Sequence, residues 1–368
     1  MKITNIRCLV ADAGGRNILF VKTETDEGIT GIGEAYCVGP DLAVAATIDY
    51  LKEWLVGEDP RNIEYLWALM YQGLRFPPGS VGLAAISGIE HTLWDISAKA
   101  LGLPVYRLLG GQVRDKVRVY QSCHGRTPEE AAEHALSLID RYGYTALKMS
   151  PYPPNSDSRL WNDVLREGPR FLEAVRKAVG DDVDIMVDAG GSDQYWHGDL
   201  KWAMEAARML AHYNVVWFEE ALRADDLEGY RQLRAASPVH ISAGEVITRR
   251  QNFYAWIEAR ALDIVQPDLC IVGGLSEGRR IAWAADDHHI LVVPHGWNTA
   301  VGLAADLHLT AAIPNARYVE YWFPAPYVDG ILAKPFRLDS NGLLAIPTGP
   351  GLGIEVDEEK VRHYARAG

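Results

Sequence analysis

The chain has 368 residues, and at about 150 residues per domain that length suggests two domains. Hydrophobic residues make up 48% and charged residues 23%, which excludes a wholly disordered, collagen-like or fibrous chain. A net charge of −13 without a basic block argues against nucleic acid as a partner, and no run of about 18 apolar residues is present to span a membrane.

Taken in chain order, residues 3–10 and 17–25 read as strands, and Asp26-Glu27-Gly28 supplies turn chemistry before a third strand at 29–35. The first twenty residues carry Lys2, Arg7, Asp12 and Arg16 and do not resemble a secretory leader. A helix is expected over 41–56 and another over 80–101, where Ala85, Ile89, Leu93 and Ile96 recur at helical spacing until Gly102 and Pro104 stop it. Strands first and helices second is an α+β pattern, with a boundary at Leu108-Leu109-Gly110-Gly111. From about 117 the rhythm changes. Short strands at 117–122, 145–149, 184–188, 215–219, 240–243, 263–266, 290–293 and 318–321 alternate with helical patterns such as 129–142, 169–179, 200–213 and 276–287. Eight such units predict an α/β fold, a (β/α)8-type barrel over 116–324. The expected second unit is an α+β capping domain formed by 1–115, to which 325–368 returns. Cys8, Cys37, Cys123 and Cys270 are widely spaced, so no disulfide framework is expected and a cytoplasmic setting fits.

In such a barrel the chemistry sits at the C-terminal strand ends. The second strand offers Lys148 and Ser150 there, the third Asp188, the fourth Glu219 and Glu220, the fifth Glu245, the sixth Asp268, the seventh His295 and the eighth Glu320. Asp188, Glu219 and Glu245 are 31 and 26 residues apart, one βα unit each, so three carboxylates converge on adjacent strands. Like charges this close repel, and a hard divalent cation with oxygen ligands resolves the repulsion; Mg²⁺ suits carboxylates, water and substrate together. Glu220 follows Glu219 directly and points to the other side of the strand. Asp268 and His295 end neighbouring strands, and a carboxylate beside an imidazole fixes its tautomer and raises its basicity, making His295 a candidate general base. Lys148 near three acids fits a salt bridge, a contact to a substrate carboxylate, or a base with lowered pKa.

These residues resemble the enolase superfamily, and within it the mandelate racemase-like group (the mandelate racemase/muconate lactonizing enzyme family). The likeness includes Gly88-Ile89-Glu90-His91-Thr92-Leu93-Trp94-Asp95 and Leu101-Gly102-Leu103-Pro104-Val105-Tyr106. It continues through Val187-Asp188-Ala189, Trp217-Phe218-Glu219-Glu220, Ala243-Gly244-Glu245, Gln266-Pro267-Asp268 and Pro294-His295. The resemblance implies a two-domain enzyme that binds Mg²⁺ through Asp188, Glu219 and Glu245 and abstracts the α-proton of a carboxylate substrate through a metal-stabilised enediolate. It implies Asp268–His295 as the base dyad and Glu320 as an acid that, protonated, hydrogen-bonds the substrate carboxylate. One departure stands out. The group's racemases carry Lys-x-Lys on the second strand, whereas Lys148-Met149-Ser150 has serine at the second place, removing a base from one face.

Loops around Tyr36, Cys37 and Val38, the segment 75–79, His124, Tyr152, and Tyr195, Trp196 and His197 are candidates to read the substrate's distal end. Tyr36, Ser150, His124, His197 and Trp297 are accordingly expected to bind substrate, with His124 or His197 a possible general acid. Trp297 and Trp322 suit a sugar-derived acid. The resulting expectation is a Mg²⁺-dependent lyase dehydrating an aldonate or aldarate. The alternative is a racemase, epimerase or cycloisomerase acting on a related hydroxy acid or sugar-acid lactone, and a non-catalytic binding protein is a third reading. The expected partners are a small-molecule carboxylate and further copies of the chain, from dimer to octamer, with no nucleic acid and no membrane.

Overall fold

β1 (Ile3–Asp12) and β2 (Asn17–Thr25) pair antiparallel, and β2 pairs antiparallel with β3 (Thr30–Ala35) across a turn in which Gly28 takes φ +77°. The computed structural model describes residues 1–12, 17–36, 38–153, 156–190, 199–322 and 328–363. Three helices complete this layer. α1 (Asp41–Leu55) buries Val44, Ile48, Leu51 and Leu55, one stripe at helical spacing. α2 (Ile63–Gly73), not anticipated from the sequence, buries Ile63, Leu66, Trp67 and Met70 by the same periodicity. α3 (Gly79–Ala100) is buried almost throughout, as expected for a helix covered on several sides. Its closeness to β3 depends on glycine, since a Cβ on Gly31 or Gly33 would sit 2.2 Å from the carbonyl oxygens of Thr92 and Gly88 respectively. α4 (Val105–Leu108) is a single turn before the barrel.

The barrel then runs in strict alternation: β4 (Lys116–Ser122), α5 (Pro128–Tyr142), β5 (Ala146–Met149), α6 (Trp161–Val179), β6 (Asp184–Asp188), α7 (Leu200–Leu210), β7 (Val215–Glu219), α8 (Leu227–Ala236), β8 (His240–Ala243), α9 (Arg250–Glu258), β9 (Ile264–Val265), α10 (Leu275–Asp287), β10 (Leu291–Val292), α11 (Ala300–Ala312) and β11 (Tyr318–Glu320). The strands are parallel in the order β10-β9-β8-β7-β6-β5-β4-β11. The ring is joined between its two ends by a parallel bridge from Val292 to Ala316, just ahead of β11. Two helices differ from the sequence reading. Proline is favoured in a first helical turn, so 169 was the expected start of α6; the helix instead begins at Trp161 and accommodates Pro169 within it. α7 stops at Leu210, and the expected remainder to Tyr213 tightens into a 3₁₀ turn.

The tail divides its contacts. β12 (Leu343–Ala345) pairs antiparallel with β4, so this part of it extends the barrel sheet. On either side the chain contacts the N-terminal layer. Gly351 bridges Pro104, Leu352 N–H donates to Asp95 at 2.8 Å, and Glu358 in α12 (Glu358–His363) pairs with Lys22 and Arg7. Ile331, Leu332 and Val361 pack with Ala11, Ile18 and Phe20 in one apolar cluster.

Candidate active site

Strand alternation builds the site in two storeys. A closed apolar layer inside the barrel comprises Tyr120, Ala146, Met186, Trp217, Ile264, Val293 and Tyr318. Tyr120 and Tyr318 meet the Trp217 ring edge-on at centroid distances of 5.3 and 5.5 Å. Two residues further along five of these strands, hence facing the same way, stand Lys148, Asp188, Glu219, His295 and Glu320. The aromatic layer is a floor, and the ionisable residues are the chemistry laid on it.

Asp188, Glu219 and Glu245 each offer a carboxylate oxygen, all within 4.8 Å of one another. Lys148 Nζ donates to Glu219 Oε1 at 2.8 Å and lies 3.1 Å from Asp188 Oδ2 and 3.2 Å from Glu320 Oε1. The second Glu219 oxygen accepts from Trp217 Nε1 at 2.8 Å, so the floor also aims the carboxylate. Burial pushes the Glu219 carboxyl up to about 7 against the pull of Lys148, and burial likewise raises Glu245. Lys148 moves the opposite way from the usual buried lysine. Burial alone would lower it, but Glu219, Glu320 and Asp188 outweigh burial and hold it an ammonium. Of the three roles left open for Lys148, the salt bridge is present here, to Glu219, Asp188 and Glu320.

His295 Nδ1–H donates to Asp268 Oδ2 at 2.7 Å, leaving Nε2 3.6 Å from Glu245 and 4.0 Å from Glu320. Asp268 is itself fixed, its other oxygen accepting from the Cys270 N–H at 2.7 Å and from Asn298 Nδ2 at 3.4 Å. Burial works against a charged imidazole, yet Glu245, Asp268 and Glu320 together raise its proton affinity well above the ordinary value. Glu320, expected to hydrogen-bond the substrate carboxylate when protonated, lies between Lys148 and His295. Burial favours the neutral form, but Lys148, His295 and the Gly296 N–H together lower its pKa and favour the carboxylate. Glu220, anticipated to point away from the cluster, is buried, and its backbone sits at φ +47° with its N–H donating to Ser242.

The candidate substrate contacts are spread around the mouth. Tyr36, at the end of β3, lies 6.4 Å from the His295 ring, centroid to centroid. Ser150 is exposed just past β5, and its hydroxyl accepts from the Tyr152 N–H. His124 is engaged with His134, ring centroids 4.4 Å apart, and with Ser150 lines a side cavity of about 290 Å³ beside the metal-type cluster's strands. Trp297 is 37% exposed and tilts against Trp322 at 6.3 Å. His197, together with Tyr195, Trp196 and Cys37, falls outside the described residues. The sequence reading did not include Asn298, which touches Asp268, or Asp306, a buried acid on α11 facing Asp268 and His295. The signal for Asn298 was its place three residues after His295; Asp306 reads like any helical aspartate until the helix is docked.

Comparison with known proteins gives a family match over most of the chain. Residues 7–110 match the family profile Mandelate racemase / muconate lactonizing enzyme, N-terminal domain, and residues 130–360 match Enolase C-terminal domain-like. D-galactonate dehydratase of Variovorax paradoxus is 36% identical over 360 residues, covering 95% of this chain and 91% of the relative. D-galactarolactone cycloisomerase of Agrobacterium fabrum is 34% identical over 362 residues, covering 94% and 90%. An enolase from Agrobacterium radiobacter, solved with Na and L-malate and an ordered active site, superposes with a TM-score of 0.92 at 33% identity, covering 100% of this chain and 95% of its own.

Proposed function

The chain belongs to the mandelate racemase/muconate lactonizing enzyme family of the enolase superfamily, and from that membership we propose that it is a divalent-metal-dependent lyase removing water from a sugar acid. The observation that carries the reading is one contiguous constellation. The Asp188–Glu219–Glu245 cluster, Lys148 and the Asp268–His295 pair are linked by direct contacts, with His295 Nε2 only 3.6 Å from Glu245. A binding protein has no need of a base oriented by a buried acid.

Three carboxylates within 4.8 Å carry more negative charge than Lys148 neutralises, and hard oxygen donors of this kind fit Mg²⁺. Bound there, such an ion supplies the positive charge that makes the carbon beside a carboxylate acidic. The protein's own groups do the rest. Lys148, held protonated, stabilises charge growing on the substrate carboxylate. His295 Nε2 takes the C2 proton, while Asp268 fixes the tautomer and stabilises the imidazolium that results. Neutralising the triad relaxes the strongest charge pull on His295, that of Glu245, and leaves Nε2 able to accept a proton. The aromatic floor keeps water from reaching the site from below. His295 then returns its proton to the departing C3 hydroxyl.

Ser150, in place of the racemases' second lysine, leaves one face of the substrate without that base, which favours elimination over inversion. The likeness to a cycloisomerase supports a second reading, an epimerase or cycloisomerase acting on a related hydroxy acid or lactone, because both readings start from the same proton transfer. Incubation with a panel of aldonic and aldaric acids and Mg²⁺ separates them. A product lighter by one water and bearing a 2-keto group is expected. Products that are only isomers of the substrate overturn the dehydratase. His295→Asn should lower turnover by about 10²- to 10⁴-fold while leaving cation binding in place.

A further inference from the structure

Glu34 of β3 and Tyr36, just past its end, reach the two loops that carry the base dyad. Glu34 is buried, and its carboxylate accepts from the Thr299 N–H at 3.0 and 3.1 Å, the Thr299 hydroxyl at 2.6 Å and the Gly302 N–H at 2.9 Å. Thr299 is the N-cap of α11, four residues after His295 and adjacent to Asn298, whose amide touches Asp268. Two residues beyond Glu34, the Tyr36 N–H donates to the Cys270 carbonyl at 3.0 Å, and the Cys270 N–H in turn donates to Asp268 at 2.7 Å. The first turn of α11 is pressed onto the same loop, since a Cβ on Gly302 would lie 2.9 Å from Cys270 Sγ and 2.7 Å from Asn298 Cβ. One strand of the N-terminal layer therefore ties the loop after β9, which carries Asp268, to the loop after β10, which carries His295.

We propose that β3 is a clamp across the dyad, with Glu34 as its positioning residue. The physical argument is one of geometry. β9 and β10 are two residues each, and beyond them one parallel bridge, Asp268 to His295, joins the two loops, so the course of the segment after His295 depends on what anchors it from outside the barrel. A carboxylate receiving backbone N–H bonds at a helix N-terminus is among the stronger directional anchors available, because the acceptor is charged and the helix end is positive. The anchor sets where α11 begins and so where the five-residue segment from His295 to Thr299 must run. A displacement of about 1 Å at a base can cost about 10²-fold in rate. Glu34 acts through Thr299 and the adjoining Asn298, while the link to Cys270 is made by the Tyr36 backbone.

The test reads the dyad directly and does not depend on knowing the substrate. The imidazole Nδ1–H bonded to Asp268 should give a low-field proton resonance, assigned by its loss in His295→Asn. Its sharpness should fall in the order wild type, Glu34→Asp, Glu34→Gln, because aspartate keeps the charge at a shorter reach and glutamine turns an amide towards N–H donors. Val44→Ala in α1 removes apolar packing from the same layer without touching either loop, and should leave the resonance unchanged. An unchanged resonance in Glu34→Gln overturns the clamp, as does equal loss in Val44→Ala at the same folded fraction. If Glu34→Gln does not fold, the comparison of wild type with Glu34→Asp decides, and equality between them overturns it. With a sugar acid that reacts, exchange of the C2 proton with deuterium should fall by about 10- to 100-fold in Glu34→Gln. That arm rests on the function proposed above; the resonance does not, so either can fail without the other.

Discussion

At the scale of single residues, Asp306 is the group that pulls against the rest. It is fully buried on α11, and neither carboxylate oxygen has a hydrogen-bond partner among the described residues. Burial, joined by Asp268, Glu34 and Glu320 and only partly offset by His295, raises its pKa well above the ordinary aspartic value of 3.8. The folded chain therefore keeps a proton there that the unfolded chain releases above about pH 4, and stability at this site falls as pH rises through that window. Asp306→Asn, permanently neutral and of equal size, removes the loss. Its advantage over wild type should grow as pH rises above about 4, by at most about 1.4 kcal/mol per unit, in urea unfolding at each pH. A gap that stays constant would mean Asp306 ionises in the fold. Sequence could supply the identity of this residue but not its burial, whereas Asp188, Glu219, Glu245, Asp268 and His295 were legible because strand ends recur at one βα unit and the family motifs surround them.

At the scale of elements, short connections and close approaches decide how the parts meet. β3 and α3 lie so near that Gly33→Ala would place a Cβ 2.2 Å from the Gly88 carbonyl, a backbone atom with no freedom to turn aside. The helix must shift, and overpacking of this kind costs about 1–3 kcal/mol, measurable as a lower urea midpoint with an unchanged slope. The N-terminal layer also caps barrel helices. Glu90 accepts from the Leu275 and Ser276 N–H groups at the start of α10, much as Glu34 does for α11. Periodicity made α1, α3, α5 and most strands readable, but it could not reveal that two buried acids of one layer terminate helices of the other. α2 carries its stripe of Ile63, Leu66, Trp67 and Met70 at the same helical spacing. α6 begins at Trp161, ahead of the expected 169, with Pro169 inside it.

At the scale of the whole molecule, the acidic triad concentrates more negative charge than Lys148 offsets, and a bound cation would relieve it. Mg²⁺ should therefore raise the melting temperature, with about 2.7 kcal/mol of stabilisation when the free ion reaches 100 times its dissociation constant. Asp188→Asn should abolish most of that shift, and a chelator should reverse it in the wild type. A shift that survives Asp188→Asn would place the stabilising ion elsewhere. Among the described residues no helix is long and apolar enough to cross a membrane.

The sequence by itself determined the barrel, the layer preceding it, and the identity of the ionisable ring at the strand ends, because strand alternation and βα spacing are local regularities written in residue order. It also determined that Ser150 stands where a second lysine might have been. Only the tertiary structure decided that Lys148 is surrounded by three carboxylates, that Glu320 lies between Lys148 and His295, that part of the tail joins the barrel through β12, and that β3 and the residue after it reach both loops of the dyad. These depend on distances between segments far apart in the chain. Charge interactions and burial follow those distances, and residue spacing along the chain does not carry them.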